Sequence, residues 1–152
     1  MIDVEQILYG MDTALKSRLS GEIALINAEK ADGIVLLDVD VNAIFVQELN
    51  DETINYDPYI IHGISNETIK TAGRSSASTL GLFIVVAISS QNVDNIPKRL
   101  LRYSRAVKQV ILKEFDAFKP DLIATGPITF QDSNTGNFHK GIGSEFNITA
   151  PF

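Results

Sequence analysis

The chain has 152 residues, no cysteine and a formal net charge of −6 at pH 7. That length suits one domain, which can bury about 70% of the surface of its unfolded chain. The lack of cysteine excludes disulfides, thiolate metal sites and cysteine nucleophiles. No basic segment followed by an apolar run opens the chain, and the longest strongly apolar stretch, residues 80–88, is too short to cross a bilayer. We therefore expect a small soluble domain that is made in the cytoplasm and has no membrane partner.

The charge is unevenly distributed along the chain. Residues 1–57 contain 12 acidic and three basic residues, whereas residues 58–152 contain seven acidic and ten basic residues. The two parts therefore carry net charges of −9 and +3. Oppositely charged surfaces on one domain favour head-to-tail contacts between copies, or docking to charged partners. Alternatively, the two sets intermingle on the folded surface, and the sequence leaves both interpretations open.

Two helices are predicted near the N-terminus, over residues 3–18 and 21–31. Apolar residues recur every three or four positions, Ser20-Gly21 interrupts the pattern, and Gly33 is expected to end the second helix. Residues 34–47 are rich in valine and isoleucine and alternate with period two, which predicts a half-buried strand. Its predicted buried face comprises Val35, Leu37, Val39 and Val41.

Strands dominate the rest of the prediction, with one long helix between them. A short strand at 59–64 leads into a polar loop at 65–79, interpreted as the tip of a long hairpin. Residues 80–89 form the most hydrophobic strand, predicted to be central and buried on both faces. The clearest helix spans about 96–118, because Pro97 occupies its first turn. Two further predicted strands are a strand around Gly126-Pro127, which is either kinked or at the sheet edge, and a last strand over 138–152.

This order predicts an α+β fold, with an antiparallel mixed sheet packed against a long helix, N-terminal helices and a long hairpin loop. The whole of residues 1–152 is expected to form this single domain. The alternation of strand and helix that marks a doubly wound fold is missing.

One acidic segment resembles the opening of a calcium-binding EF-hand loop. Asp38 and Asp40 alternate with valine, but Ala43 stands where the sharp turn needs glycine and Leu49 where the ion needs a bidentate glutamate. The segment is therefore interpreted as a strand with its acids facing solvent.

No other pattern predicts a catalytic, metal or cofactor site. The two histidines, His62 and His139, lack a nucleophile elbow and are too few to supply the three ligands of a catalytic zinc. Gly141 and Gly143 lack the third glycine of a dinucleotide loop, and they predict a bulge or tight bend. We expect no cofactor and no enzymatic activity.

Basic residues concentrate on the long predicted helix, where seven of the 13 lie between Lys98 and Lys119. Helical spacing places four of them on one face, which is either the solvated side of the helix or a surface for an acidic neighbour or DNA. The acidic chain and its few aromatic residues argue against autonomous nucleic-acid binding. The candidate residues for subunit or partner contacts are Lys98, Arg102, Arg105, Lys113, Arg74, Asp38 and Asp40.

The order of elements resembles the tail terminator, or tail completion, proteins found in the neck of tailed bacteriophages. In that family a hydrophobic strand, here LGLFIVVAIS, leads into a helix with a pattern seen here in LLRYSRAVKQVIL, residues 100–112. A two-strand hairpin follows, and its last strand packs back on the sheet. The two predicted N-terminal helices depart from a simpler single-helix start, which leaves another neck or tail role open.

This resemblance implies a structural virion protein that forms a ring, usually of six copies, at the head–tail joint. The implied partners are copies of the chain, the tail tube protein, neck or connector proteins and in some tails a sheath. DNA would meet the protein only by passing through the lumen, and the family has no catalytic residues. The implied location is the virion, after synthesis in the host cytoplasm.

Other functions remain as alternatives. One is a different phage neck or tail adaptor, and another is a monomeric interaction module or assembly chaperone. A small-molecule-binding enzyme domain ranks last, because it needs a pocket with convergent polar groups near His62, His139 or Arg102.

Overall fold

The computed structural model describes residues 3–47, 56–73, 75–89, 94–131 and 138–151. Its two helices are α1 (Val4–Glu29) and α2 (Ile96–Glu114). Its five strands are β1 (Ile44–Val46), β2 (Tyr59–Ala72), β3 (Ser75–Ser89), β4 (Asp121–Gln131) and β5 (Phe138–Pro151). Both helices pack on the same face of the sheet that these strands form.

The strand order across the sheet is β1-β2-β3-β5-β4. β1 runs parallel to β2, and every other neighbouring pair is antiparallel, so the sheet is mixed. β5, the last strand of the chain, lies between β3 and β4. The predicted α+β class with a mixed sheet is therefore confirmed.

The core lies between the sheet and the two helices. Alternate residues of β3 point toward the helices and are buried, as the two-residue period of a strand requires. They are Leu80, Leu82, Ile84 and Val86. On the opposite face of β3, Phe83 and Val85 are only half-buried. β3 is thus central, as predicted, but the prediction that it is buried on both faces is only partly right.

The predicted break between two N-terminal helices is wrong, because α1 runs through Ser20 and Gly21 without interruption. A Cβ atom at Gly21 would meet nothing within 4 Å, so this exposed glycine packs against no neighbour. Its unfavourable helix propensity, about 1 kcal/mol relative to alanine, is offset by the buried stripe on the other side of the helix. α1 ends at Glu29, four residues before Gly33, and the N–H of Lys30 caps it by donating to the Ile26 carbonyl at 2.9 Å.

Residues 34–40 do not form the predicted strand. They are extended without a sheet partner, a short 3-10 helix (Val41–Ala43) follows, and only Ile44–Val46 joins the sheet. The predicted burial pattern is also wrong at three of its four positions, because Val35, Leu37 and Val41 are exposed. Val39 is buried as predicted, together with Leu36.

Side chains of the two helices supply the hydrogen bonds to this segment that a neighbouring strand would otherwise supply. The Asn27 side chain donates to the Leu36 carbonyl at 3.0 Å and accepts the Leu36 N–H at 2.8 Å. Arg99 donates to the Val35 carbonyl at 2.6 Å, and the Tyr103 hydroxyl donates to the Leu37 carbonyl at 2.6 Å. Since these backbone groups find partners on α1 and α2, the segment needs no ladder hydrogen bonds.

The polar segment 65–79 is not a loop over the residues that the structure describes. β2 and β3 pair from Tyr59 and Ala87 to Ala72 and Ser75 with one bulge between Ile64 and Asn66, and Gly73 has the positive φ of a turn residue. The predicted hairpin is present, but its polar half consists of paired strands. Arg74, a predicted contact residue, lies outside the described residues.

The C-terminal half follows the prediction more closely. α2 and a 3-10 helix (Asp116–Phe118) cover the predicted helix, and β4 is an edge strand that contains Pro127. The bulge or bend predicted at Gly141 and Gly143 is wrong, because both pair in register with β3 and β4. A Cβ at Gly141 would lie 2.9 Å from the Val86 carbonyl oxygen, so close packing accounts for this glycine.

Candidate interaction surfaces

Four of the predicted contact residues lie on α2 and face acidic residues of α1 and of the segment after it. We call this row of ion pairs the charged seam. Its members are Arg102–Asp32, Lys98–Asp32, Arg105–Glu29, Lys113–Glu22 and Arg18–Glu114. The acidic N-terminal part and the basic C-terminal part therefore meet within one chain, as the intermingling alternative expected. That the same residues also bind a neighbouring subunit stays a prediction.

Arg102 is the most deeply placed residue of the charged seam, with a side chain only 8% exposed. Its guanidinium contacts both carboxylate oxygens of Asp32 and donates to the Ile34 carbonyl at 2.8 Å. The hydrogen bond from Arg102 is the main reason why the pKa of Asp32 lies well below its usual range. Arg102 thus ties α2 to the segment that follows α1.

Arg105, Lys98 and Lys113 make more exposed contacts in the same row. Arg105 lies 2.8 Å from Glu29, and Lys98 lies 3.6 Å from Asp32. Their side chains are about half exposed, so water competes for each pair.

Asp38 and Asp40, the two acidic contact candidates, face solvent as predicted but also have local structural contacts. Asp38 accepts a hydrogen bond from the Ser20 hydroxyl at 2.8 Å, which links the segment to α1. Asp40 accepts from the Asn42 N–H at 2.8 Å and caps the short 3-10 helix. Within the described part of the chain, no three His, Asp or Glu side chains converge as a set of metal ligands.

A buried polar pair that the sequence analysis missed lies between α1 and the sheet. His62 on β2 is fully buried, and its Nε2 lies 2.9 Å from Asp12 Oδ1 on α1. Lys16, one turn further along α1, lies 2.8 Å from the other Asp12 oxygen. Nδ1 of His62 has no hydrogen-bond partner among the described residues. The two halves of the pair are 50 residues apart, and no sequence pattern connects them.

Burial and pairing act in opposite directions on this pair. Burial lowers the pKa of His62, and the hydrogen bond that His62 donates to Asp12 opposes that effect without cancelling it. Burial works to raise the pKa of Asp12, but hydrogen bonds from Lys16 and His62 outweigh it and leave that pKa below its usual range. The structure therefore favours a neutral His62 beside an ionised Asp12.

The second histidine lies on the other side of the sheet. His139 Nδ1 is 2.8 Å from the Tyr59 hydroxyl, and both side chains are buried. The pairing register places His62 on the helix-covered face and His139 on the opposite one. The fold thus does not bring the two histidines into one site.

Exposed apolar side chains gather around β4. Leu122 is 47% exposed and Ile123 is 54% exposed, while Leu101 on α2 is also open to solvent. A groove of about 300 Å³ separates α2 from β4. A depression of about 390 Å³ lies on the other face, beside Phe83 and Ile128. Apolar surface on both sides of an edge strand is typical of a contact region.

In the described part of the chain, no helix is both long enough and apolar enough to span a bilayer. The sequence matches no protein-family model and no curated protein. Function is therefore inferred from the layout and the geometry of this chain.

Proposed function

We propose that the chain is a structural virion protein that forms a ring at the head–tail joint of a tailed bacteriophage. There it terminates the tail tube and connects it to the neck. The observation that carries the proposal is the path from β3 through α2 to β4 and β5. The hydrophobic strand leads directly into α2, and β5 returns to pair with β3 from Ser89 and His139 to Ala77 and Pro151. This is the layout on which the resemblance to tail terminator proteins rests.

The N-terminal region adds support. The sequence predicts two N-terminal helices, and this prediction departs from the single-helix start of the simpler tail terminator layout. Because α1 is one continuous helix, that departure disappears.

The residues of the helix pattern in α2 have clear structural roles. Arg102 and Tyr103 hold the segment after α1 through its backbone carbonyls. Ala106, Val107 and Val110 are buried against the sheet. The same pattern therefore anchors α2 on both sides, as a rigid building block of an assembly requires.

A ring needs two different surfaces on each subunit, because neighbours meet head to tail. The exposed apolar side chains around β4 supply one of them. The other partners of the proposed ring are the tail tube protein, neck or connector proteins and, in a contractile tail, the sheath. The proposal includes no cofactor and no catalysis, and DNA meets the ring only in its lumen.

The test is the absolute mass of the purified protein, measured by light scattering on a sizing column at low and high salt. We expect a species near six times the 16.7 kDa chain mass, with an annular outline in negative-stain electron microscopy. Loss of that species at high salt would assign part of the contact to charge. A second arm adds purified tail tubes, on which we expect rings at the tube ends. A monomer in both arms would contradict the proposal and favour a monomeric interaction module.

A further inference from the structure

Among the described residues the sheet has two open edges, one on each side. β4 ends the strand order and has no neighbour beyond it among the described residues. On the other side, β1 pairs only with residues 60–62 of β2, so residues 65–72 have no strand partner there within the described chain. An open edge presents unpaired N–H and C=O groups, which form a template for another strand. Natural edges are usually protected by charges or proline. β4 contains Asp121 and Pro127, but between them Leu122 and Ile123 have exposed apolar side chains.

The two open edges have directions that suit each other. β2, β3, β5 and β4 are successive antiparallel neighbours, so β2 and β4 run in opposite directions. A second copy in the same orientation would place its β2 antiparallel to β4 of the first copy. Head-to-tail repetition of one contact would then extend the sheet from copy to copy.

We propose that copies of this chain join by sheet extension, with Asp121–Gly126 of one copy paired antiparallel to Asn66–Lys70 of the next. This inference rests on the proposed self-assembly and names the surface that mediates it. In this register Asp121 stands opposite Lys70, and Leu122 stands beside Ile69. The first is a pair of opposite charges, and the second buries two side chains that are 47% and 53% exposed in the single chain.

The faces of the two strands agree with this register. Asp121 and Lys70 both align with the residues of β3 that point away from the helices, namely Gly81 and Ala77. Leu122 and Ile69 both lie on the helix side of the sheet, where Leu122 aligns with Leu82. A register shifted by one residue would place either Leu122 opposite Lys70 or Ile69 opposite Asp121, and it would pair residues that point to opposite faces of the sheet.

The remainder of β4 limits the length of the contact. A bulge between Leu122 and Ala124 makes Ile123 an extra residue, after which Ala124 aligns with Thr68 and Gly126 with Asn66. Pro127 follows, and since it has no N–H it cannot continue the ladder. Beyond Pro127, β4 must diverge from the next copy, because β1 of that copy already pairs with residues 60–62 of its own β2. The paired segment thus ends where β2 of the next copy has its own bulge, between Ile64 and Asn66.

The register also staggers neighbouring copies. Within one chain Asp121 is level with Asn66 across the sheet, whereas in the contact it is level with Lys70 of the next copy. The offset is four residues, or roughly 13 Å along the strands. A closed ring accommodates such a stagger when its strands tilt relative to the ring axis, as in β-barrels.

Cysteine cross-linking tests the contact directly, because the chain has no native cysteine. The variant combines Leu122→Cys with Ile69→Cys. Opposed residues in a sheet lie within disulfide range, whereas in one chain these two positions are separated by three strand spacings, roughly 14 Å, across the sheet and by four residues, roughly 13 Å, along it. We expect a ladder of covalent multimers on mild oxidation. The matched control, Leu101→Cys with Ile69→Cys, keeps an exposed cysteine on α2 and should give no ladder.

A charge exchange gives a second, independent readout. Asp121→Lys alone and Lys70→Asp alone should each weaken association by at least about tenfold, because like charges then face each other. The combined variant should recover most of the loss, and Lys140→Asp, in the middle of the sheet on β5, should have little effect.

The outcomes separate this inference from the proposed function. A ring in light scattering with a ladder only in the Leu122–Ile69 variant supports both. A ring without that ladder, or with an equal ladder in the control, overturns the sheet contact, assigns the β4 edge to another partner and leaves the ring standing. A ladder of open chains without a ring supports the contact and contradicts ring closure. A monomer with neither ladder nor charge effect overturns both.

Discussion

Two interfaces hold α2 in place, and they differ in kind. Toward the sheet, α2 buries Val107, Val110 and Ile111 in the apolar core. Toward α1, it makes the charged seam, whose outer pairs are about half exposed to water. Removing apolar surface from water contributes about 25 cal/mol per Å², whereas an exposed ion pair contributes about 0–1 kcal/mol. The comparison indicates that the apolar interface supplies most of the stability, and that the charged seam chiefly sets which faces of the helices meet.

The largest expected effect concerns the apolar interface. Leu82 on β3 is fully buried, and Leu122 on β4 lies in the same row of the sheet but is half exposed. Leu82→Ala should lower the free energy of unfolding by about 2–5 kcal/mol, because it leaves a cavity. Leu122→Ala should lower it by less than about 1 kcal/mol, because water already reaches that side chain. Urea denaturation, at a protein concentration too low for association, measures both free energies of unfolding. Equal losses would contradict the view that buried apolar contacts supply most of the stability.

The long helix α2 and the last strand β5 follow from the sequence because their signals are local. α2 has an apolar stripe and a proline in its first turn, and the structure begins the helix at Ile96 as expected. β5 alternates visibly, with Phe146 and Ile148 buried. These elements need no knowledge of distant partners.

The errors arise where partners far along the chain decide the structure. Residues 34–40 alternate as a strand would, yet Asn27, Arg99 and Tyr103 satisfy their backbone. The polar half of the hairpin resembled a loop because a strand exposed on both sides shows no apolar alternation. The charged seam and the pair of Asp12 with His62 likewise join residues far apart in sequence, so composition predicted charge but not its pairing.

A pH series tests the buried polar pair of Asp12 and His62 between α1 and the sheet. The pKa of His62 is lower in the folded protein than the usual 6.5, because burial disfavours its charged form. The unfolded chain therefore binds more protons, and stability should fall as the pH drops through 6.5 toward the folded pKa. The slope should not exceed about 1.4 kcal/mol per pH unit, the limit for one proton.

The matched variant for this series is His62→Leu, measured by urea denaturation from pH 7.5 to 5. We expect its stability to be flatter over that range. Asp12 changes the stability only at lower pH, because its pKa in the folded protein lies below 3.8. Equal slopes in the two proteins would show that His62 does not sense pH.

A smaller loss of stability is expected when the hydrogen bond from Tyr103 to the Leu37 carbonyl is removed. This hydrogen bond is polar but partly buried. Tyr103→Phe removes the donor and should lower the free energy of unfolding by about 0.5–1.5 kcal/mol. Tyr9→Phe, on the exposed side of α1, is the control and should change little. A negligible loss at Tyr103 would mean that water replaces the phenol, and that the segment after α1 is held mainly by Arg99 and Arg102.

The smallest effect should come from the exposed part of the charged seam. Arg105 and Glu29 are 47% and 50% exposed, so a double-mutant cycle of Arg105→Ala and Glu29→Ala should show the weakest coupling of all these contacts. That coupling should vanish at high salt, since solvent ions screen exposed pairs. The same cycle for Arg102 and Asp32 should give a larger coupling that persists in salt, because Arg102 is only 8% exposed and also bonds the Ile34 carbonyl. If the two cycles instead gave equal coupling energies, the charged seam would stabilise the helices as a unit. Its ion pairs would then not differ as one buried contact and several exposed ones.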